Sequence, residues 1–166
     1  MDIIDNKALL VRTKNPNRIT DAIQKSKLVG QESEGVYKVL VHWGLPEASK
    51  LATLVKNVPS PITKDYDWPG RFKPFAHQIT TAEFLSLRRK AFCFSEQGTG
   101  KTASAIWAAD YLMKMGYIDR VLVICPLSIM QSAWQADIFN TAMHRSCAVA
   151  HGSLEKRKRI IAGDYK

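Results

Sequence analysis

Eight consecutive residues, Ser95-Glu96-Gln97-Gly98-Thr99-Gly100-Lys101-Thr102, have the types and spacing needed to hold a polyphosphate. The glycines let the backbone bend until several N–H groups point into one concavity. A helix starting at Lys101 adds the partial positive charge of its N-terminus, and the Lys101 ammonium reaches the outer phosphates. The Thr102 hydroxyl can join the shell of a bound Mg²⁺. The pattern departs from G-x-x-x-x-G-K-[ST] at its first position, where Ser95 replaces Gly. Such a loop needs a strand before it and a helix after it. The apolar run Ala91–Phe94 fits the strand, and the segment up to Gly116 fits the helix. Ile106, Ala109, Leu112 and Met113 form the expected inward stripe, with Trp107 and Tyr111 as packing residues.

The composition suits a packed α/β chain with a polyanionic partner. Of 166 residues 46% are hydrophobic and 23% charged, and 24 Lys and Arg against 15 Asp and Glu leave a net charge of +9. The surplus is shared, +3 over residues 1–58 and +6 over residues 59–166. It favours nucleic acid first among partners. Cys93, Cys125 and Cys147 are scattered through apolar runs without metal-ligand spacing, as are His42, His77, His144 and His151. Buried thiols in a reducing compartment are the expectation. With no signal-like N-terminus and no membrane-length apolar run, the reading is a cytoplasmic protein without a membrane partner.

Along the chain, Lys7–Thr13, Lys27–Gln31 and Val36–His42 read as strands, with Glu32–Gly35 as a hairpin loop. Pro16 and Pro46 mark helix starts, the second helix presenting Leu51, Leu54, Val55 and Val58. This gives a small α+β domain over 1–58. Three prolines and a glycine make 59–70 an ordered or semi-rigid linker. From 71 to 166 strand and helix alternate. A helix spans about 74–90, with Ala82, Phe84 and Leu85 inward and Arg88–Lys90 at its end. Strands follow at Ala91–Phe94, Arg120–Cys125 and Cys147–Ala150. Ser128 is placed to cap a helix from Ile129 to about Ala142, with Met130, Trp134 and Ile138 inward, and Lys156–Arg159 lies on one more helix.

Gln78 before a helix, Gly98–Thr102, and Leu122-Val-Ile-Cys-Pro-Leu-Ser128 followed by Trp134 occur in one order. The set resembles the first lobe of superfamily 2 helicases, most closely the SNF2-like branch of DNA translocases. That branch typically reads D-E-x-G-x-G-K-T at the phosphate loop. Val121–Ser128 with Trp134 looks like its motif Ia, and His151-Gly152-Ser153 like the strand end after it. The tract from Tyr66 to Gln78 is similar to bacteriophage-encoded members, which would place the protein in a bacterial host cytoplasm. Residues 1–58 bear a looser likeness to small α/β domains preceding this motor in some fork-remodelling helicases.

The resemblance implies a partial RecA-like parallel α/β lobe over 71–166 that binds ATP and Mg²⁺. Gln78 reads the adenine edge, and Phe72 or Phe75 stacks on the base. Gly98, Thr99, Gly100, Lys101 and Thr102 hold the phosphates and metal, with Lys101 and Thr102 in the catalytic roles. Pro126, Leu127 and Ser128 meet the DNA backbone. The Asp-Glu motif that orients Mg²⁺ and the attacking water occurs nowhere in the chain, nor does a second lobe with its arginine finger. The expectation is therefore the N-terminal part of an ATP-dependent motor whose remainder is its partner, inactive in hydrolysis alone. The alternatives are a non-enzymatic nucleic-acid-binding or interaction module derived from such a lobe, and a small P-loop kinase. A kinase would give Gln78 and Pro126–Ser128 no role.

Overall fold

In the computed structural model, which describes residues 1–163, two strands build the first core. β2 (Ala8–Thr13) and β4 (Val36–His42) run antiparallel, with Leu9 opposite Val41 and Val11 opposite Val39. All four side chains are buried. Strand residues alternate between faces, so Arg12 and Lys38 fall on the other side. There Arg12 pairs with Asp2 at 2.7 Å and Glu32 at 2.8 Å, and Lys38 pairs with Glu32 at 3.1 Å. β1 (Asp2–Ile4) adds to β2 and β3 (Ser26–Ser33) to β4, giving an antiparallel sheet ordered β1-β2-β4-β3.

β1 was not expected from the sequence. Its link to β2 is the two-residue turn Asp5-Asn6, with φ of 49° and 53° and a bond from Lys7 N–H to the Ile4 carbonyl. Positive φ at both central residues is the hairpin geometry that matches strand twist, and Asp and Asn tolerate it.

α1 (Pro16–Thr20) and α2 (Leu45–Leu54) each carry proline in the first turn and pack on β4 and on each other. Ile19, Ile23, Leu45, Ala48 and Leu51 close the core. Trp43 is buried and donates its indole N–H to the Pro59 carbonyl at 2.9 Å. The proline-bearing stretch is ordered: Ser60, Pro61 and Ile62 are fully buried, and α3 (Ile62–Asp65) follows. The Ser60 hydroxyl meets that of Ser86 at 2.7 Å, and its N–H donates to Glu83 at 3.1 Å. The chain forms two units, Met1–Asp65 with Glu83–Ala91, and Tyr66–Ala82 with Phe92–Lys166.

The connecting helix α4 (Ala76–Ser86) is shorter than expected. Ala82 is buried, but Phe84 is 43% exposed under the Arg88 guanidinium, 5.6 Å from its ring centre. Arg88 donates to the Ala52 carbonyl, so it serves the end of α2 rather than that of α4.

The second unit is centred on α5 (Lys101–Lys114), which packs against α6 (Ala136–Thr141). Its buried face is rotated from the expected one. Ile106 is buried, but Trp107, Ala108, Asp110 and Tyr111 join it, whereas Ala109, Leu112 and Met113 are only half-buried. Polar partners permit the rotation: Trp107 donates to the Pro69 carbonyl at 2.9 Å, and Asp110 accepts from Tyr66, His144 and Arg145. Tyr66 meets Tyr111 edge to face, and Trp68 meets Trp107 likewise.

The strands expected at 91–94, 120–125 and 147–150 form no ladder, and the only sheet among the described residues is the antiparallel one. The protein is mixed α/β, with seven α-helices among the described residues. An apolar run becomes a strand only when a neighbour takes up its N–H and C=O groups. The runs nevertheless keep a two-residue rhythm. Cys93, Val123, Cys125, Cys147 and Val149 are half-buried, whereas Phe92, Phe94, Leu122, Ile124 and Ala148 are exposed, Ile124 to 91%. One face of each run is covered.

The expected helix at 129–142 is split into a 3₁₀ turn (Leu127–Ile129), a π-helical segment (Met130–Gln135) and α6. Ser128 lies inside the 3₁₀ turn and is not a cap; its carbonyl accepts from the Ser132 hydroxyl at 3.0 Å. Met130, Trp134 and Ile138 are half-buried. α7 (Leu154–Ala162) is capped by Ser153, whose hydroxyl accepts from Lys156 N–H, and Lys156–Arg159 are all exposed. Among the described residues no helix is long and apolar enough to cross a membrane.

Candidate functional site

The loop before α5 has the backbone its glycines were expected to supply. Gly98 has φ of +77° and Gly100, the residue preceding α5, has φ of +74°. The αL position costs a residue with a β-carbon about 1–2 kcal/mol. No side chain caps α5, which leaves the N–H groups of its first turn directed at the loop.

Side chains close the loop on itself. Lys101 Nζ donates to the carbonyls of Ser95 at 2.8 Å and Glu96 at 2.6 Å. The Thr99 hydroxyl donates to the same Glu96 carbonyl at 2.8 Å. The ammonium thus rests on carbonyl oxygens, the type of partner that phosphate oxygens replace with gain of charge. Beside the loop, hydrogen bonding from the Ser95 hydroxyl and then its amide, with Lys101 near, holds the Cys93 thiol below its usual value.

Gln78 is brought to this loop from α4. Its side-chain oxygen accepts the Phe75 N–H at 2.9 Å, half of a capping box in which Phe75 is the N-cap and Gln78 the third helical residue. Its amide nitrogen donates to the Thr99 carbonyl at 3.4 Å. One amide proton and one oxygen lone pair remain, the donor–acceptor pair that an adenine edge requires.

His77, which no motif singles out, reaches the same carbonyl. Its Nε2 lies 3.0 Å from the Thr99 oxygen, which accepts, so Nε2 carries the proton. The imidazole stacks on Phe75 with 5.8 Å between ring centres and 10° between planes. Phe75 is 69% exposed, and Phe72 is open with the Arg71 guanidinium over its ring.

The structure therefore brings Phe75, Gln78, Gly98, Thr99, Gly100 and Lys101 together, with Thr102 half-buried in the first turn of α5. Pro126, Leu127 and Ser128 are exposed at the 3₁₀ turn, and no hydrogen bond among the described residues joins them to the loop. Among the described residues no group of three or more His, Cys, Asp or Glu is placed to hold a metal. The second polar cluster is Asp110 with Tyr66, Arg145 and His144, the last at 2.9 Å. Burial would raise the Asp110 pKa, but hydrogen bonds from Tyr66, Arg145 and His144 outweigh it and hold the carboxyl below its usual range. Comparison with family models, with curated proteins and with solved structures found no match to the chain.

Proposed function

We propose that this chain is the ATP-binding N-terminal part of an SNF2-like DNA helicase or translocase, its second unit forming part of a RecA-like lobe. The observation that carries the reading is the bond from the Gln78 amide to the Thr99 carbonyl, within the loop that holds Lys101. A base-reading group and a phosphate-reading group are adjacent, as a nucleoside triphosphate requires. Gly98, Thr99 and Gly100 line the concavity, Lys101 moves from the Ser95 and Glu96 carbonyls onto the phosphates, and Phe75 offers a ring to the base. Thr102 is the residue that would hold Mg²⁺ through its hydroxyl, and the ion would supply neutralisation of phosphate charge.

Pro126–Ser128 and the exposed Lys156–Arg159 supply contacts to a DNA backbone, consistent with the +9 charge. The carboxylates for water activation come from the rest of the motor, so this chain binds nucleotide without turning it over. The free thiols suit a reducing cytoplasm.

Calorimetric titration with MgATP and MgGTP tests the reading. ATP should bind more tightly than GTP, Lys101→Ala should abolish binding of both, and Gln78→Ala should erase the difference. Equal affinity of the wild type for both, or Lys101-independent binding, would overturn it.

A further inference from the structure

We propose that His77 is a positioning residue of the phosphate loop, acting through the carbonyl it shares with Gln78. The inference rests on the nucleotide-site reading above and extends it to a residue outside the motif. The Thr99 oxygen has two lone pairs, and the geometry fills both: His77 Nε2 at 3.0 Å and Gln78 Nε2 at 3.4 Å. A peptide group is planar and trans, so its C=O and the next N–H point in opposite directions. Clamping the Thr99 carbonyl toward α4 therefore turns the Gly100 N–H away from α4, toward the concavity of the loop. Gly100 by itself does not hold that orientation, because glycine populates positive and negative φ about equally well.

The two donors differ in what else they do. Gln78 is committed to its capping bond with Phe75 and has a free edge for a base. His77 has its ring plane fixed by stacking on Phe75, and its one bond in the site is to Thr99. His77 thus serves the phosphates and Gln78 the base, through one oxygen atom. Losing His77 leaves the carbonyl with the longer of its two bonds, and the loop amide is then free to rotate.

The experiment compares the full chain with His77→Ala and His77→Gln, using MgATP, MgGTP and inorganic tripolyphosphate as probes in calorimetry. His77→Ala should weaken ATP and tripolyphosphate by the same factor, roughly 5- to 10-fold for one hydrogen bond, and leave the ATP-to-GTP ratio unchanged. His77→Gln keeps an N–H donor and should recover most of the loss. His77 is exposed, so the variants should keep the wild-type circular dichroism. Unchanged tripolyphosphate affinity in His77→Ala would overturn the inference while leaving the nucleotide site standing. A changed ATP-to-GTP ratio would overturn it too, because His77 would then be reading the base. Failure of the wild type to bind either ATP or tripolyphosphate would bring down the site itself and this inference with it.

Discussion

A β-carbon on Gly100 would overlap the side-chain amide of Gln78, whereas one on Gly98 would meet nothing within 4 Å. Both glycines have positive φ, so alanine at either strains the backbone by about 1–2 kcal/mol. Only at Gly100 must the alanine also expel Gln78 from the loop. Gly98→Ala should weaken ATP binding about tenfold in calorimetry and keep the preference over GTP, whereas Gly100→Ala should weaken it further and erase that preference. Equal losses would mean that Gln78 is not held against the loop.

The Asp110 carboxylate should anchor the second unit. Its folded pKa lies below the unfolded value of about 4. The stability it supplies is therefore present above that value and lost as pH falls through it toward the folded pKa. Asp110→Asn leaves Arg145 short of a buried counter-charge and should cost about 3 kcal/mol in urea unfolding at neutral pH. The gap between variant and wild type should begin to narrow as pH falls below the unfolded value; a gap that stays constant would refute the charged role.

Arg88, Arg89 and Lys90 should not behave as one basic cluster. Arg88 satisfies the Ala52 carbonyl near the end of α2 at 2.8 Å and covers Phe84. Arg88→Ala should lower stability by about 1 kcal/mol, while Arg89→Ala and Lys90→Ala should leave the thermal midpoint in place. A loss shared by all three would contradict this division.

The four cations of α7 are open to solvent. If they contact a DNA backbone, replacing Lys156, Arg157, Lys158 and Arg159 with Gln should flatten the dependence of log affinity on log salt by about 0.9 per lost phosphate contact on duplex. Fluorescence anisotropy across a salt series gives the slope. An unchanged slope would remove α7 from the DNA surface.

Strands β2 and β4 and helices α1 and α2 were legible because their signals are local. Short apolar runs bounded by turn residues marked β2 and β4, and Pro16 and Pro46 marked helix starts. β1 escaped because three residues hold too little pattern, and its turn uses Asp5-Asn6 rather than a glycine. The loop residues were picked out by spacing and Gln78 only through the resemblance to helicase lobes, and Gln78 lies against the loop. His77 and Asp110 were not picked out, because their partners lie 22 and, for Tyr66, 44 residues away. On a helix such residues read as solvent-facing. The apolar runs at 91–94, 120–125 and 147–150 misled for a different reason. Their composition reports burial on a sheet, but only a ladder makes a strand, and composition does not supply the neighbour.

The bonds of Ser60 have a consequence for how the chain can be cut. A buried hydroxyl and amide in the first unit are satisfied by Ser86 and Glu83, which follow it in the chain by 26 and 23 residues. A polypeptide ending at Asp65 would contain every strand of the sheet, yet it would leave Ser60 enclosed and unanswered. The shortest piece able to fold to the same interior must run through Ala91, the end of that unit. A proteolytic nick between Tyr66 and Ala82 should therefore leave two fragments that stay associated until denatured, because the first unit is sewn from two separate lengths of chain.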